Sequence, residues 1–154
     1  MRILALASLL AIANISSAHA WWSYAQWGLT ESALLSASSG QAMPCRPDVP
    51  VCAAPPGGMA PSLFVNSITM IGMPASVSFA FDGQRGLVQT LVLFPNADPA
   101  LLSSLLLGIH GKSVEDPSTT PPTQTWRDER KGTIITVVPV GQGGRLLYRP
   151  ATSR

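Results

Sequence analysis

The hydrophobic positions of this chain change period along its length, from runs spaced for helices to runs that alternate as strands do. The first helical stretch is LTESALLSASSG, residues 29–40. Thr30 stands where a side-chain oxygen can cap the first free N–H groups, Glu31 occupies the first turn where the helix dipole favours an anion, and Gly40 ends the pattern. Leu29 and Leu34 then take the two positions of a hydrophobic staple. The second stretch, NADPALLSSLLLGIHG at 96–111, repeats this logic with Asp98 as cap, Pro99 at the first helical position and Gly111 as the stop. There Leu101, Leu102, Leu105 and Ile109 share one face, which predicts the buried side of the better-buried helix.

Each helical stretch is followed by alternating segments. VSFAFDGQRGLVQTLVLF, residues 77–94, alternates Val77, Phe79 and Phe81, turns between Asp82 and Gly86, and resumes with Leu87 and Leu91, so it predicts a β-hairpin. TQTWRDERKGTIITVVPV, residues 123–140, has the same Asp-x-x-x-Gly turn from Asp128 to Gly132, between Trp126 and a β-branched run. A further strand is expected in each half, at about 63–70 and 145–149. Both helices also contain Ala-Leu-Leu-Ser, at 33–36 and 100–103. The expected fold is therefore α+β: two helices packed on one face of an antiparallel sheet, read as a duplicated α-β-β-β unit with halves at about 27–95 and 96–150. The 46% hydrophobic content of a 154-residue chain is ample for one core.

The N-terminus changes where this domain is expected to reside. Residues 1–20 carry Arg2, an apolar run over 3–12 and the small-residue exit Ala18-His19-Ala20, the three parts of a secretory signal. The run is too short to span a bilayer. Cleavage after Ala20 leaves an exported domain at 21–154 that begins Trp21-Trp22; a cut after Ala18 would leave His19 first. No cysteine stands at either cut, so no lipid anchor is expected, nor any transmembrane span after signal removal. The expected location is periplasmic or secreted. Cys45 and Cys52, the only cysteines, then predict a disulfide that closes a short loop and is worth about 2.5 kcal/mol on the loop-entropy model. Around them, residues 43–61 are dense in proline and glycine and predict an extended surface loop.

Charge excludes one class of partner. The formal net charge is +2, which drops further with Arg2, so a nucleic-acid partner is not expected. The distribution is uneven: Arg127, Arg130, Lys131, Arg145, Arg149 and Arg154 face only Asp128 and Glu129 from residue 123 onward. Arginines on solvated strands explain this, and an acidic partner or lipid headgroups is the sharper alternative.

Candidate chemistry is thin. His110 is the one histidine left after cleavage at Ala20; Glu115 or Asp116 could orient it as a general base, but no nucleophile motif accompanies them, and a helix C-terminus accommodates a histidine on its own terms. Asp82 and Asp128 read as turn residues rather than a carboxylate pair. The glycine-rich stretch at 141–144 lacks the following helix and lysine of a phosphate loop. No metal site and no cofactor are expected. Trp21, Trp22, Trp126 and Tyr148 are the candidate binding residues, but for Trp126 the core is the favoured assignment, Tyr148 has the same ambiguity, and for Trp21 and Trp22 a tucked arm is favoured over a sticky end. Trp27 is expected to pack at the entry of the first helix.

The opening Trp27, Gly28, Leu29, Thr30 and Leu34, followed by a glycine and antiparallel strands, resembles small exported bacterial helix-plus-sheet domains. These include the SmpA/OmlA outer-membrane-assembly lipoproteins and the folds like β-lactamase inhibitor protein, in which such a unit is duplicated. The resemblance implies a protein-binding module of the cell envelope. The leading expectation is thus a non-enzymatic binding or structural module with an envelope protein as partner. The alternatives are an inhibitor or accessory factor of an envelope enzyme, and a small hydrolase or ligand-binding enzyme using His110.

Overall fold

A computed structural model describes residues 24–116, 123–138 and 143–151. The expected leader, with Ala18 and Ala20, and the candidates Trp21 and Trp22 lie outside these described residues. Two helices, α1 (Glu31–Ala37) and α2 (Pro99–His110), accompany eight strands: β1 (Met43–Pro44), β2 (Leu63–Met70), β3 (Met73–Asp82), β4 (Gly86–Phe94), β5 (Val114–Asp116), β6 (Thr123–Asp128), β7 (Thr133–Val138) and β8 (Gly144–Pro150). The strands form one antiparallel sheet in the order β1-β2-β3-β4-β8-β7-β6-β5. The protein is α+β with an antiparallel sheet, and among the described residues no helix is long and apolar enough to cross a membrane.

The helix starts follow the local chemistry. Thr30 accepts a hydrogen bond from the Ala33 N–H at 3.3 Å, and Asp98 accepts one from the Leu101 N–H at 2.7 Å, so each cap satisfies a donor that the first helical turn leaves open. Leu34 of α1 and Leu102 and Leu106 of α2 are buried in the same cluster as Val77, Phe79, Ile135 and Tyr148 of the sheet. The buried side of α2 differs from the periodicity expectation: Leu102 and Leu106 point inward, while Leu101 and Ile109 are 43% and 51% exposed. The reason is that α2 is apolar nearly all round, so spacing alone does not select a face.

Register decides which strand residues reach the core. Val77, Val92, Leu146 and Val137 line up across β3, β4, β8 and β7, as do Phe79, Thr90, Tyr148 and Ile135 in the next row. A bulge between Val65 and Ile68 resets β2, so that Val65, Ile68 and Met70 all join the core cluster. The two Asp-x-x-x-Gly turns occupy different places in the sheet: the first closes β3 to β4, the second closes β6 to β7. In the mirrored strand order the counterpart of the β3–β4 hairpin is β7–β8, so the matching of those two turns read from sequence does not hold in space.

The opposite face of the sheet has its own cover over β2 to β4. Val51, Phe64 and Leu93 form a second buried cluster, packed with Val49 and the Cys45–Cys52 disulfide. The Cα atoms of that bridge are 5.6 Å apart, within the ordinary range. Ser78 on β3 donates its hydroxyl to the Val51 carbonyl at 2.7 Å, and the Gln89 amide clamps the Met59 backbone, accepting from its N–H at 3.0 Å and donating to its carbonyl at 2.9 Å. The proline-rich segment is therefore more than an extended surface loop: it contributes β1 and a 3-10 turn at Pro50–Cys52, and it covers part of the sheet through Val51. Fully buried Val51 supplies the anchor.

Replacing both cysteines with serine is expected to lower stability by about 2.5 kcal/mol in urea unfolding, because the released loop regains unfolded-state entropy while Val51 and Ser78 keep their sheet contacts. An unchanged midpoint would mean that the sheet contacts alone order the loop.

Candidate functional site

Three places collect unsatisfied or unusual surface: the outer side of α2, a depression beside β2, and the end of the sheet where the two aspartate turns lie.

On α2 the sequence PALLSSLLLGIH contains no Asp, Glu, Lys or Arg. Its two serines do not present polar groups outward, since Ser103 donates to the Pro99 carbonyl at 2.9 Å and Ser104 to the Ala100 carbonyl at 3.0 Å. With those hydroxyls turned onto the helix, the outward side chains are apolar: Leu101 at 43%, Leu107 at 54% and Ile109 at 51% exposed, followed on β5 by Val114 at 72%. The signal that could have found this surface was in the sequence, as an uncharged helix whose leucines exceed what one buried face can hold. Only the packing shows which leucines are left over.

The aromatic candidates are placed differently from a binding role. Trp126 on β6 is 3% exposed and its indole N–H donates to the Gly111 carbonyl at 3.0 Å, which ties the end of α2 to the sheet. Tyr148 on β8 is fully buried in the central row, and burial holds its phenol far above the usual tyrosine range, so it stays neutral. Neither residue forms part of a solvent-facing patch; both are core because their rows on β6 and β8 point to the helix-bearing cluster. His110 closes α2 and is half-buried. Glu115 and Asp116 stand on β5, paired with Gln124 and Thr123, rather than in a free loop. Among the described residues no group of three or more His, Cys, Asp or Glu is placed to hold a metal ion.

The depression, about 370 Å³ and open to solvent, lies where β1 stops pairing with β2 and the β2 bulge begins. Gln41, Met43, Val65, Asn66, Ser67 and Ile68 line it. This lining offers amides, a hydroxyl and apolar contact, and no titratable group.

At the turn end of the sheet the local chemistry is tight. Asp82 accepts hydrogen bonds from the Gln84 and Arg85 N–H groups at 2.9 and 3.0 Å and pairs with the Arg85 guanidinium at 3.1 Å. The Gln84 N–H first, then the Arg85 side chain and N–H, hold its carboxyl at about 2. Gly86 follows at φ 71°, and a side chain there would collide with the Gly28 carbonyl, because residues 28 and 29 bond across Leu87. Asp128 repeats the turn with a bond from the Lys131 N–H at 3.2 Å. Trp27 donates to the Thr133 hydroxyl at 3.0 Å, and Thr133 donates to the Lys131 carbonyl at 3.1 Å, so the N-terminal segment is fastened to the start of β7.

Comparison with protein-family models, curated proteins and solved structures finds no match for this chain.

The depressed carboxyl makes a pH prediction with a definite sign. Because folding lowers the Asp82 pKa from 3.8 to about 2, its contribution is present above about pH 4 and is lost as pH falls toward about 2. Asp82→Asn is expected to be less stable than the parent at neutral pH and to converge with it near pH 2, as read by urea unfolding at stepped pH. A constant gap between the two curves would show that the carboxylate charge adds nothing.

Proposed function

We propose that this chain is an exported, non-enzymatic binding module of the cell envelope, and that a protein partner seats on the outer side of α2. The observation that carries this reading is the uncharged surface of that helix, where Leu101, Leu107 and Ile109 stand exposed while both serines are folded back on their own backbone. Exposed apolar side chains on an uncharged helix favour association, because water is displaced from a surface that offers it few hydrogen bonds. Val114, 72% exposed, stands on the edge strand β5, whose outer side has no neighbouring strand among the described residues.

The remaining parts of the proposal rest on supporting features rather than on the helix. The leader pattern at residues 1–20 and the Cys45–Cys52 bridge both fit an oxidising compartment, periplasmic or secreted. The strand order, which runs β1 to β4 and then back from β8 to β5, supports a duplicated helix-plus-strands unit, and the burial of Leu34, Leu102 and Leu106 in one cluster supports both helices on one face of the sheet. Each half then consists of one helix and four strands, the first of them a short edge strand.

Two outcomes are expected. N-terminal sequencing of the exported protein should begin at Trp21, and retention of Met1 would remove the export assignment. Photo-crosslinking from position 104, exposed on α2, in envelope extract should trap a partner that the Leu101→Glu, Leu107→Glu double variant no longer captures from the same position, while the unfolding free energy of that variant stays within about 0.5 kcal/mol per site because both side chains are exposed. Equal capture by the double variant would sink the assignment of α2 as the contact.

A further inference from the structure

The turn end of the sheet carries a second surface of different chemistry. Thr133 pairs with Pro150, and the Ala151 N–H bonds the Gly132 carbonyl at 2.7 Å, so the β6–β7 turn lies beside the end of β8. Thr90 pairs with Tyr148, which brings the β3–β4 turn to that same end. Arg85 stands in the first turn and Arg130 and Lys131 in the second. Behind them Arg127 and Arg149 flank Ile134 across β6, β7 and β8, which at ordinary strand spacing separates the two arginines by about 10 Å.

The acids of this end are already engaged. Asp82 is held by two N–H groups and Arg85, Asp128 is 7% exposed and bonds the Lys131 N–H, and exposed Glu129 lies 3.6 Å from Arg127. Arg130 and Arg149 are exposed and have no ion-pair partner among the described residues. Glu31, at the start of α1, is the nearest other acid along the chain that crosses this end. The local balance is thus cationic.

We infer that this end docks on an anionic lipid surface, its arginines meeting phosphate headgroups. An acidic protein is the less suitable occupant, because none of the exposed large apolar residues, from Leu35 to Val114, lies in these turns to serve as the buried anchor a protein contact needs. A headgroup layer needs only cations that reach it. Trp27 is fastened at this end by its bond to the Thr133 hydroxyl. This surface is separate from the outer side of α2, so the two assignments stand or fall apart.

The test is sedimentation of the exported protein with phosphatidylcholine vesicles that contain about 30% phosphatidylglycerol, against vesicles of phosphatidylcholine alone. Binding is expected only to the anionic vesicles and to weaken as salt is raised. Arg130→Gln with Arg149→Gln should weaken it about thirtyfold, from about 1 kcal/mol for each basic residue at such a surface. Arg46→Gln, on the disulfide loop, should leave it unchanged. The comparison of variants holds with the leader present or removed. Equal binding to neutral vesicles, or equal binding by the double variant, overturns the proposal. Capture on immobilised polyglutamate without vesicle binding overturns it in favour of an acidic protein.

Discussion

The antiparallel ladder between β4 and β8 is the contact on which the rest of the molecule depends. Among the described residues it is where strands β1 to β4 meet strands β5 to β8, and it runs from Thr90 opposite Tyr148 to Phe94 opposite Gly144. Its inward residues include the fully buried Val92, Leu146, Phe94 and Tyr148, and Leu91 and Leu147 pair on the reverse side. The ends of the ladder show how closely it is built. A side chain at Gly144 would strike Leu102 of α2, and one at Gly143 would strike the Phe94 carbonyl, so small residues are required where the second half returns against the first. Splitting the ladder would expose this apolar layer at both strands at once.

Some polar groups are carried into that layer. Thr90 is 2% exposed, and its hydroxyl has no hydrogen-bond partner among the described residues, a cost of about 1–3 kcal/mol that the apolar burial around it must offset. The tryptophans handle the same constraint by reaching out of the core: Trp126 to the Gly111 carbonyl and Trp27 to the Thr133 hydroxyl. Each of these bonds joins segments distant in sequence, so the indoles fix tertiary arrangement as well as filling volume. Large aromatic side chains do both because their bulk is apolar and their one donor is directional.

The two surfaces that remain have contrasting physical character. On α2 the surplus leucines and back-bonded serines leave apolar area facing water, whereas at the turn end the carboxylates are consumed by backbone N–H groups and nearby arginines, which leaves guanidinium groups unbalanced. Apolar area discriminates by shape and by the water it releases. Unbalanced cations act at longer range and are screened by salt. The two surfaces therefore differ in the range over which they act and in their response to salt.

By itself the sequence determined the local structure: the Thr30 and Asp98 caps, the hairpin turns at Asp82 and Asp128, the extent of β2 and the pairing of Cys45 with Cys52 were legible because each depends on residues close together in the chain. Short β1 and β5 were not, since two or three residues carry no periodicity. Tertiary structure decided everything that needed a partner across space. It chose Leu102 and Leu106 over Leu101 and Ile109 as the inward face of α2, placed Trp126 and Tyr148 in the core, and laid the disulfide loop over β2 to β4 through Val51. It also put the two aspartate turns in unequal positions of a mirrored sheet. The reason is common to all four: a local pattern fixes which side chains are apolar and which backbone groups are capped, but burial is a property of the surfaces that come to lie against them.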